Sequence, residues 1–340
     1  MRATSDILSD GLIHKILSFL SFKEATKMSI LSKTWLRAWS THPNLEFQVD
    51  YLNDNMKKVD SIIERYRDEK IPIEKFELSN ARFPQEIIPL FDKWLHIALH
   101  NGVKNIVFRV PCYTTYTLPV FTILAEKSLR ELVLRGFDLK HVTLSSGGVA
   151  NYNSLKKLSL SSIWLDDNML QTLLNRCSLI VDLVLEHCDG LDNIELLNLQ
   201  RIKSVTIKTF RKQRVKIDAP TLEHLYYLDA GEAYPTLDII NAPNLASLEY
   251  IGDQIPKAFV DVNLQWNCHP KKVILFATNE MITRFMDRLM SMKRSKPLRN
   301  RLQQVTTYKF DWENQIWHLV EFRSGKLALT RDKFYFLLDW

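Results

Sequence analysis

Residues 155–160, LKKLSL, put Leu155, Leu158 and Leu160 at positions i, i+3 and i+5. The last two are two residues apart, so both fall on one side of an extended strand. The same spacing occurs earlier, at Ile73-Phe76-Leu78, Val103-Ile106-Phe108 and Leu129-Leu132-Leu134. It continues at Ile180-Leu183-Leu185, Ile202-Val205-Ile207, Leu222-Leu225-Tyr227 and Leu245-Leu248-Tyr250. Successive starts lie 30, 26, 26, 25, 22, 20 and 23 residues apart. One such triplet carries little information, because apolar triplets are common. Eight in succession define a repeating unit.

An L-x-x-L-x-L pattern recurring every ~20–29 residues is the signature of a leucine-rich repeat, in which each unit gives one strand to a parallel horseshoe sheet. Cys188, three residues after Leu185, occupies the position where a small residue fits beneath the turn. Asp218-Ala219-Pro220-Thr221-Leu222 and Asn241-Ala242-Pro243-Asn244-Leu245 are near-copies, each with proline just ahead of a strand, where no ladder donor is needed. The return segments differ. Phe91–His100 and Leu165–Asn175 read as helices, whereas Arg211–Ala219 is too short and reads as extended. A late triplet at Pro270-Val273-Leu275 extends the array, so residues 73–278 are assigned to the repeats.

Beyond them, Glu280–Met292 is an amphipathic helix leading into a loop at Lys293–Pro297. Tyr308-Phe310-Trp312, Trp317-Leu319, Leu327-Leu329 and Phe334–Leu338 then read as strands, with a hairpin turn at Ser324-Gly325. Residues 279–340 are therefore expected to cap the open end of the solenoid. Ahead of the repeats, Met56–Tyr66 reads as a helix within a linker or cap spanning 49–72.

The first 48 residues follow a different pattern. Ile13, Ile16, Leu17 and Leu20 form a helical stripe with Ser9 or Asp10 at its start. Ser21 and Glu24 have capping-box spacing and open a second helix, carrying Ala25, Met28, Ile30 and Leu31. Trp35 and Trp39 sit four apart on one face of a third. Three short helices bury too little apolar surface to be stable alone, so their remaining apolar face must dock on something. That something is either a partner or the domain that follows.

The stretch resembles an F-box of the kind that begins plant F-box/leucine-rich-repeat proteins. The matching residues are Leu8-Ser9-Asp10, Ile16–Leu20, Ser29–Lys33, Trp35, Trp39, Pro43-Asn44-Leu45 and Phe47. Two family prolines are replaced, by Ser9 and by Ser21, and serine serves equally as an N-cap. The resemblance implies an α/β chain: a three-helix F-box followed by a leucine-rich-repeat solenoid. It implies a Skp-family adaptor as partner and, through it, a cullin, with Leu8, Ile16, Leu17, Leu20, Leu31 and Trp35 contacting the adaptor or supporting the contact. On this reading the chain is the non-catalytic substrate receptor of a Skp–cullin–F-box ubiquitin ligase. The alternative is an interaction scaffold whose F-box no longer recruits a ligase.

Composition fits this reading. The chain has 340 residues, 46% hydrophobic and 25% charged, with a net charge of +6. Met1–Leu8 is polar and no apolar run reaches the length of a membrane span. The four cysteines (Cys112, Cys177, Cys188, Cys268) are widely spread, which suits reduced thiols in the nucleus or cytoplasm. Cys177, His187 and Cys188 fit no zinc spacing, and His96 with His100 lacks the glutamate of a metalloprotease helix. Nine glycines and no phosphate-loop motif leave no cofactor expected. The basic runs Lys208–Lys216 and Lys293–Arg301 read as solvated loops, because neither is interleaved with stacking aromatics.

In L-x-x-L-x-L strands the leucines point inward and the alternate residues line the opposite, concave face. That face is of mixed charge and suits a protein partner. Arg109, Arg135, Glu186, Lys208 and Tyr226 are the candidate target contacts. Arg109 and Arg135 are expected to share one acidic partner segment, or else to be neutralised internally by Glu131 and Glu186.

Overall fold

The computed structural model describes residues 8–49, 56–80, 88–114, 116–140, 142, 152, 154–197, 199–211, 213–229, 236–252, 259, 269–294, 302–320 and 331–339. The chain divides into two units, Met1–Leu158 with Ser162–Trp164, and Ser159–Ser161 with Leu165–Trp340.

The first unit begins with helices α1 (Asp10–Ser18), α2 (Phe22–Met28) and α3 (Lys33–Ser40). Ser21 caps α2 in a full capping box: its N–H and hydroxyl donate to the Glu24 carboxylate, and its Oγ accepts from the Glu24 N–H. Ser32 caps α3 through the Trp35 N–H. Both serines that replace family prolines have φ near the value proline would fix, −67° at Ser9 and −63° at Ser21. The helices therefore start where the sequence placed them.

Strands and helices then alternate: β1 (Asn44–Val49), α4 (Met56–Asp68), β2 (Lys75–Asn80), α5 (Ile88–His100), β3 (Asn105–Thr114), α6 (Val120–Leu124) and β4 (Glu131–Phe137). The four strands pair in parallel, in sequence order. Their register aligns the repeat residues in rows. Leu45, Phe76, Ile106 and Leu132 form one row, and Phe47, Leu78, Phe108 and Leu134 the next. All eight are buried. A second regularity precedes each strand, where a backbone N–H donates to the carbonyl one repeat back. These bonds run Glu74 to Pro43 at 2.8 Å, Lys104 to Glu74 at 3.0 Å, Arg130 to Lys104 at 2.6 Å and Lys156 to Arg130 at 2.7 Å.

The repeat array thus starts earlier than the sequence pattern places it. β1 lies inside the stretch assigned to the three-helix module, and the expected linker 49–72 holds α4, the return helix between two ladder strands. The first unit of the array escapes the pattern because it offers only Leu45 and Phe47, without the leading i residue.

In the second unit, α7 (Asp167–Arg176) follows the end of β5 (Lys157–Ser161). β6 (Asp182–Glu186), β8 (Ser204–Thr209), β10 (His224–Asp229), β12 (Ser247–Ile251) and β13 (Lys272–Thr278) pair in parallel. The intervening β7 (Asn193–Leu197), β9 (Arg214–Asp218) and β11 (Thr236–Asn241) form a separate parallel sheet of their own. The repeat length explains the change from helix to strand. Intervals of 25 to 30 residues in the early units shrink to 20–23 later. A strand advances ~3.3 Å per residue against ~1.5 Å for a helix, so a shorter return must be extended.

The tail closes the second ladder with antiparallel strands. β16 (Arg331–Asp339) pairs with β13 and with β14 (Gln304–Asp311), and β14 pairs with β15 (Ile316–Leu319). Helix α8 (Asn279–Arg294) covers Phe336 with Phe285, ring centroids 5.1 Å apart. Lys293 and Arg294 continue this helix instead of opening a loop. The expected turn at Ser324-Gly325 and strand at Leu327-Leu329 lie outside the described residues.

One buried bond fastens α4 to the end of the three-helix module: the Tyr66 hydroxyl donates to the His42 carbonyl at 2.7 Å. Tyr66→Phe keeps the ring but strands that carbonyl, so it should cost about 1–3 kcal/mol. Urea unfolding of the purified chain measures this; an unchanged midpoint would show that the carbonyl has another partner.

Candidate functional site

Two surfaces stand out, one on the helical module and one on the ladders. The module has its own core: Ile13, Leu17, Ala25, Trp35 and Ala38 are buried together, with Leu8, Ile16, Leu20, Met28 and Trp39 against them. His42 ties this core to β1. Its Nδ1 lies 2.9 Å from the Asn44 carbonyl and 3.1 Å from the Asn44 N–H, and its Nε2 lies 3.0 Å from the Leu17 carbonyl. Trp39 Nε1 donates to Thr26 Oγ1, and Arg65 on α4 donates to the Ser40 carbonyl at 2.9 Å.

The six residues expected at an adaptor interface therefore separate. Leu17 and Trp35 are core side chains, 1% and 4% exposed, which puts them among the residues that support a contact surface and not among those that form it. Leu8, Ile16 and Leu20 are half-buried flanks of that core. Leu31 is 49% exposed. Leu12, Phe19, Ile30 and Leu36, none of which the sequence singles out as an adaptor contact, are exposed as well, Ile30 to 85% and Phe19 to 76%. A signal for them existed. Leu12 and Phe19 fall off the Ile13-Ile16-Leu17-Leu20 stripe, and apolar side chains outside a core stripe have no burial within the module to explain them.

On the first unit's ladder, the alternate residues carry a chain of ion pairs. Lys75 bridges Glu46 and Glu77 at 2.7 Å each, and Glu77 also receives Arg109. Burial pushes the Glu77 carboxyl up, but the hydrogen bond and charge of Lys75 and the charge of Arg109 outweigh it, leaving the group below its ordinary range. Arg109 and Arg135 are register partners on β3 and β4, as expected. Their neutralisation is not as expected. Glu131 binds Lys157 at 2.9 Å, and Glu77, on the preceding strand, takes Arg109.

In the second unit, Glu186 accepts from Lys208 at 2.6 Å and from Ser161. Lys208 lies over the Tyr226 ring at 5.7 Å, so three of the candidate target contacts touch one another. Cys188 is buried, as its repeat position implies, and donates its thiol to the Leu160 carbonyl at 3.4 Å. Burial pushes the Cys177 thiol up to about 12, which makes it a packing residue. Among the described residues, no group of three or more histidine, cysteine, aspartate or glutamate side chains is placed to hold a metal ion. No helix among them is long and apolar enough to cross a membrane.

Comparison with known proteins agrees with this arrangement. Residues 6–47 match the F-box domain, and residues 91–264, just over half of the chain, match the repeats of the FBD-associated F-box protein At5g56370. The chain belongs to this F-box/leucine-rich-repeat family. It is an F-box followed by a parallel-strand solenoid. Among relatives from Arabidopsis thaliana, F-box protein At5g03100 is 27% identical over 219 residues, covering 64% of this chain and 67% of the relative. F-box/LRR-repeat protein At3g03360 is 24% identical over 284 residues, covering 81% and 57%. F-box/FBD/LRR-repeat protein At2g26030 is 24% identical over 271 residues, covering 72% and 56%. The chain thus spans between half and two thirds of the length of these relatives. Neither family match indicates a catalytic domain.

The Glu77 cluster makes stability depend on pH. Because its pKa is lowered on folding, its contribution is present above the ordinary value of 4.5 and is lost as pH falls through the lower folded value. Glu77→Gln should therefore destabilise the chain at neutral pH, and the gap from wild type should close in acid. Thermal unfolding across pH 3–7 checks this, and a constant gap would contradict it.

Proposed function

We propose that this chain is a non-catalytic substrate receptor: its F-box docks a Skp-family adaptor, and through it a cullin, while the strand face holds a target protein. The observation that supports this most directly is the division of labour in the three-helix module. A module that closes its own core with Leu17 and Trp35 and still presents Ile30, Leu31, Phe19, Leu12 and Leu36 to solvent is built to be covered. Such residues, central and desolvated on docking, dominate binding energy.

The receptor performs no bond chemistry. It raises the effective concentration of a target near a ubiquitin-charged enzyme that the cullin brings. Of the two serines that replace family prolines, Ser21 holds the entry to α2 with its capping box, whereas Ser9 makes no side-chain cap bond at the start of α1. The buried thiols Cys177 and Cys188 suit the reducing nucleus or cytoplasm, where we place the protein.

Co-purification tests the proposal with two contrasting variants. Ile30→Asp and Leu31→Asp alter exposed residues and should leave the fold intact while weakening adaptor capture at least about tenfold. Trp35→Ala should instead lower stability by about 3–5 kcal/mol, because it empties a core site. Adaptor binding by the aspartate variants at the wild-type level, or no capture by the wild type at all, would contradict the proposal.

A further inference from the structure

The tail of the second unit carries aromatic side chains that neither the core nor the adaptor reading uses. On β16, Phe334 and Phe336 are buried, and Tyr335 between them faces the other side of the sheet. Tyr335 stands opposite Tyr308 on β14, which stands opposite Leu319 on β15. Phe310 stands opposite Trp317 in the neighbouring row. The rings form one connected layer: Tyr308 and Tyr335 stack at 5.6 Å, and Trp317 meets Tyr335 at 5.8 Å and Phe310 at 5.0 Å. Phe276 on β13 joins it through Trp312. Yet this layer is open, with Leu319 68%, Trp312 52% and Trp317 36% exposed.

Charge indicates what covers it. Glu249 lies in the same row as Tyr335, through Ile274, and pairs with Lys333 at 3.4 Å. Lys272, on the same side of β13, sits 5.3 Å over the Tyr335 ring. It has no carboxylate within ion-pair distance among the described residues. The layer therefore offers an apolar surface with Lys272, unpaired with any carboxylate among the described residues, at its margin.

We propose that this face binds an extended segment of a partner protein, apolar or aromatic at alternate positions, with a carboxylate that meets Lys272. An extended segment presents alternate side chains to one surface, the periodicity of the sheet it would lie on. A single-stranded nucleic acid fits less well. It needs a basic groove along its backbone and free ring faces, whereas Lys333 is neutralised and the Phe310 and Tyr335 rings are covered edge-on by Trp317. The inference rests on the receptor reading only in naming the bound protein a ligase target.

The test is selection of random linear phage-displayed peptides on the full chain, with adaptor capture measured in parallel. Selected peptides should combine alternating apolar residues with aspartate or glutamate. Their affinity should fall at least about tenfold for Trp317→Ala and for Leu319→Asp, and by a similar factor for Lys272→Glu. Exchanging the acidic residue of the peptide for lysine should restore binding to Lys272→Glu. Adaptor capture should be the same for all three variants. The inference is overturned if no peptides are enriched, or if those enriched bind the variants at wild-type affinity. It is equally overturned if a thymidine oligonucleotide binds this face in their place, or if Trp317→Ala dissolves a dimer of the chain. Loss of adaptor capture by the wild type would count against the receptor reading alone.

Discussion

The architecture depends on the stacking of one repeat's strand on the next in strict register. A single unit has two or three inward apolar residues and cannot bury them alone. Parallel pairing without slippage brings Leu45, Phe76, Ile106 and Leu132 into line, and likewise Leu183, Val205, Leu225, Leu248 and Val273 in the second unit. A slip of one residue would turn every inward side chain outward, so the hydrophobic rows and the backbone register enforce each other. The return segment is then free to vary. It is helical where the interval is long and extended where it is short, and neither choice disturbs the rows.

The same register decides what the ladders offer to solvent. Because inward positions are fixed, alternate positions form equally regular outward rows. In the first unit these rows hold linked ion pairs centred on Lys75 and Glu77, which leave Arg109 engaged. In the second they grade from charged residues on β6 and β8 to aromatic ones on β14 to β16. The F-box is coupled to this scheme by short buried bonds at its end. His42 and Tyr66 join the last turn of the helical module to the first strand and the first return helix.

Much of this is legible in the sequence, because period and alternation are local properties. The eight triplets mark eight strands, and Ser21 with Glu24 marks a helix start that the structure reproduces atom by atom. The missing parts have physical causes. β1 lacks the leading apolar residue, so the pattern alone starts the array one unit late. Leu17 and Trp35 were grouped with Leu31 because a stripe shows which residues are apolar but not which of two faces the module closes on. Nothing local in the sequence marks Glu77 as the partner of Arg109, because the two lie thirty-two residues apart and only the ladder register brings them together. The aromatic layer of the tail was visible as alternation, but its openness depends on how the antiparallel strands pair.

If the helical module closes its own core and offers its outward apolar side chains to an adaptor, as proposed, docking leaves the ladders unengaged. Amide hydrogen exchange of the full chain, with and without a purified Skp-family adaptor, tests this most directly. New protection is expected in the segments of Leu12, Phe19, Ile30, Leu31 and Leu36, with exchange across β2 to β4 and β6 to β16 unchanged. Protection appearing in the strands instead, or no change in the helices at saturating adaptor, would contradict it.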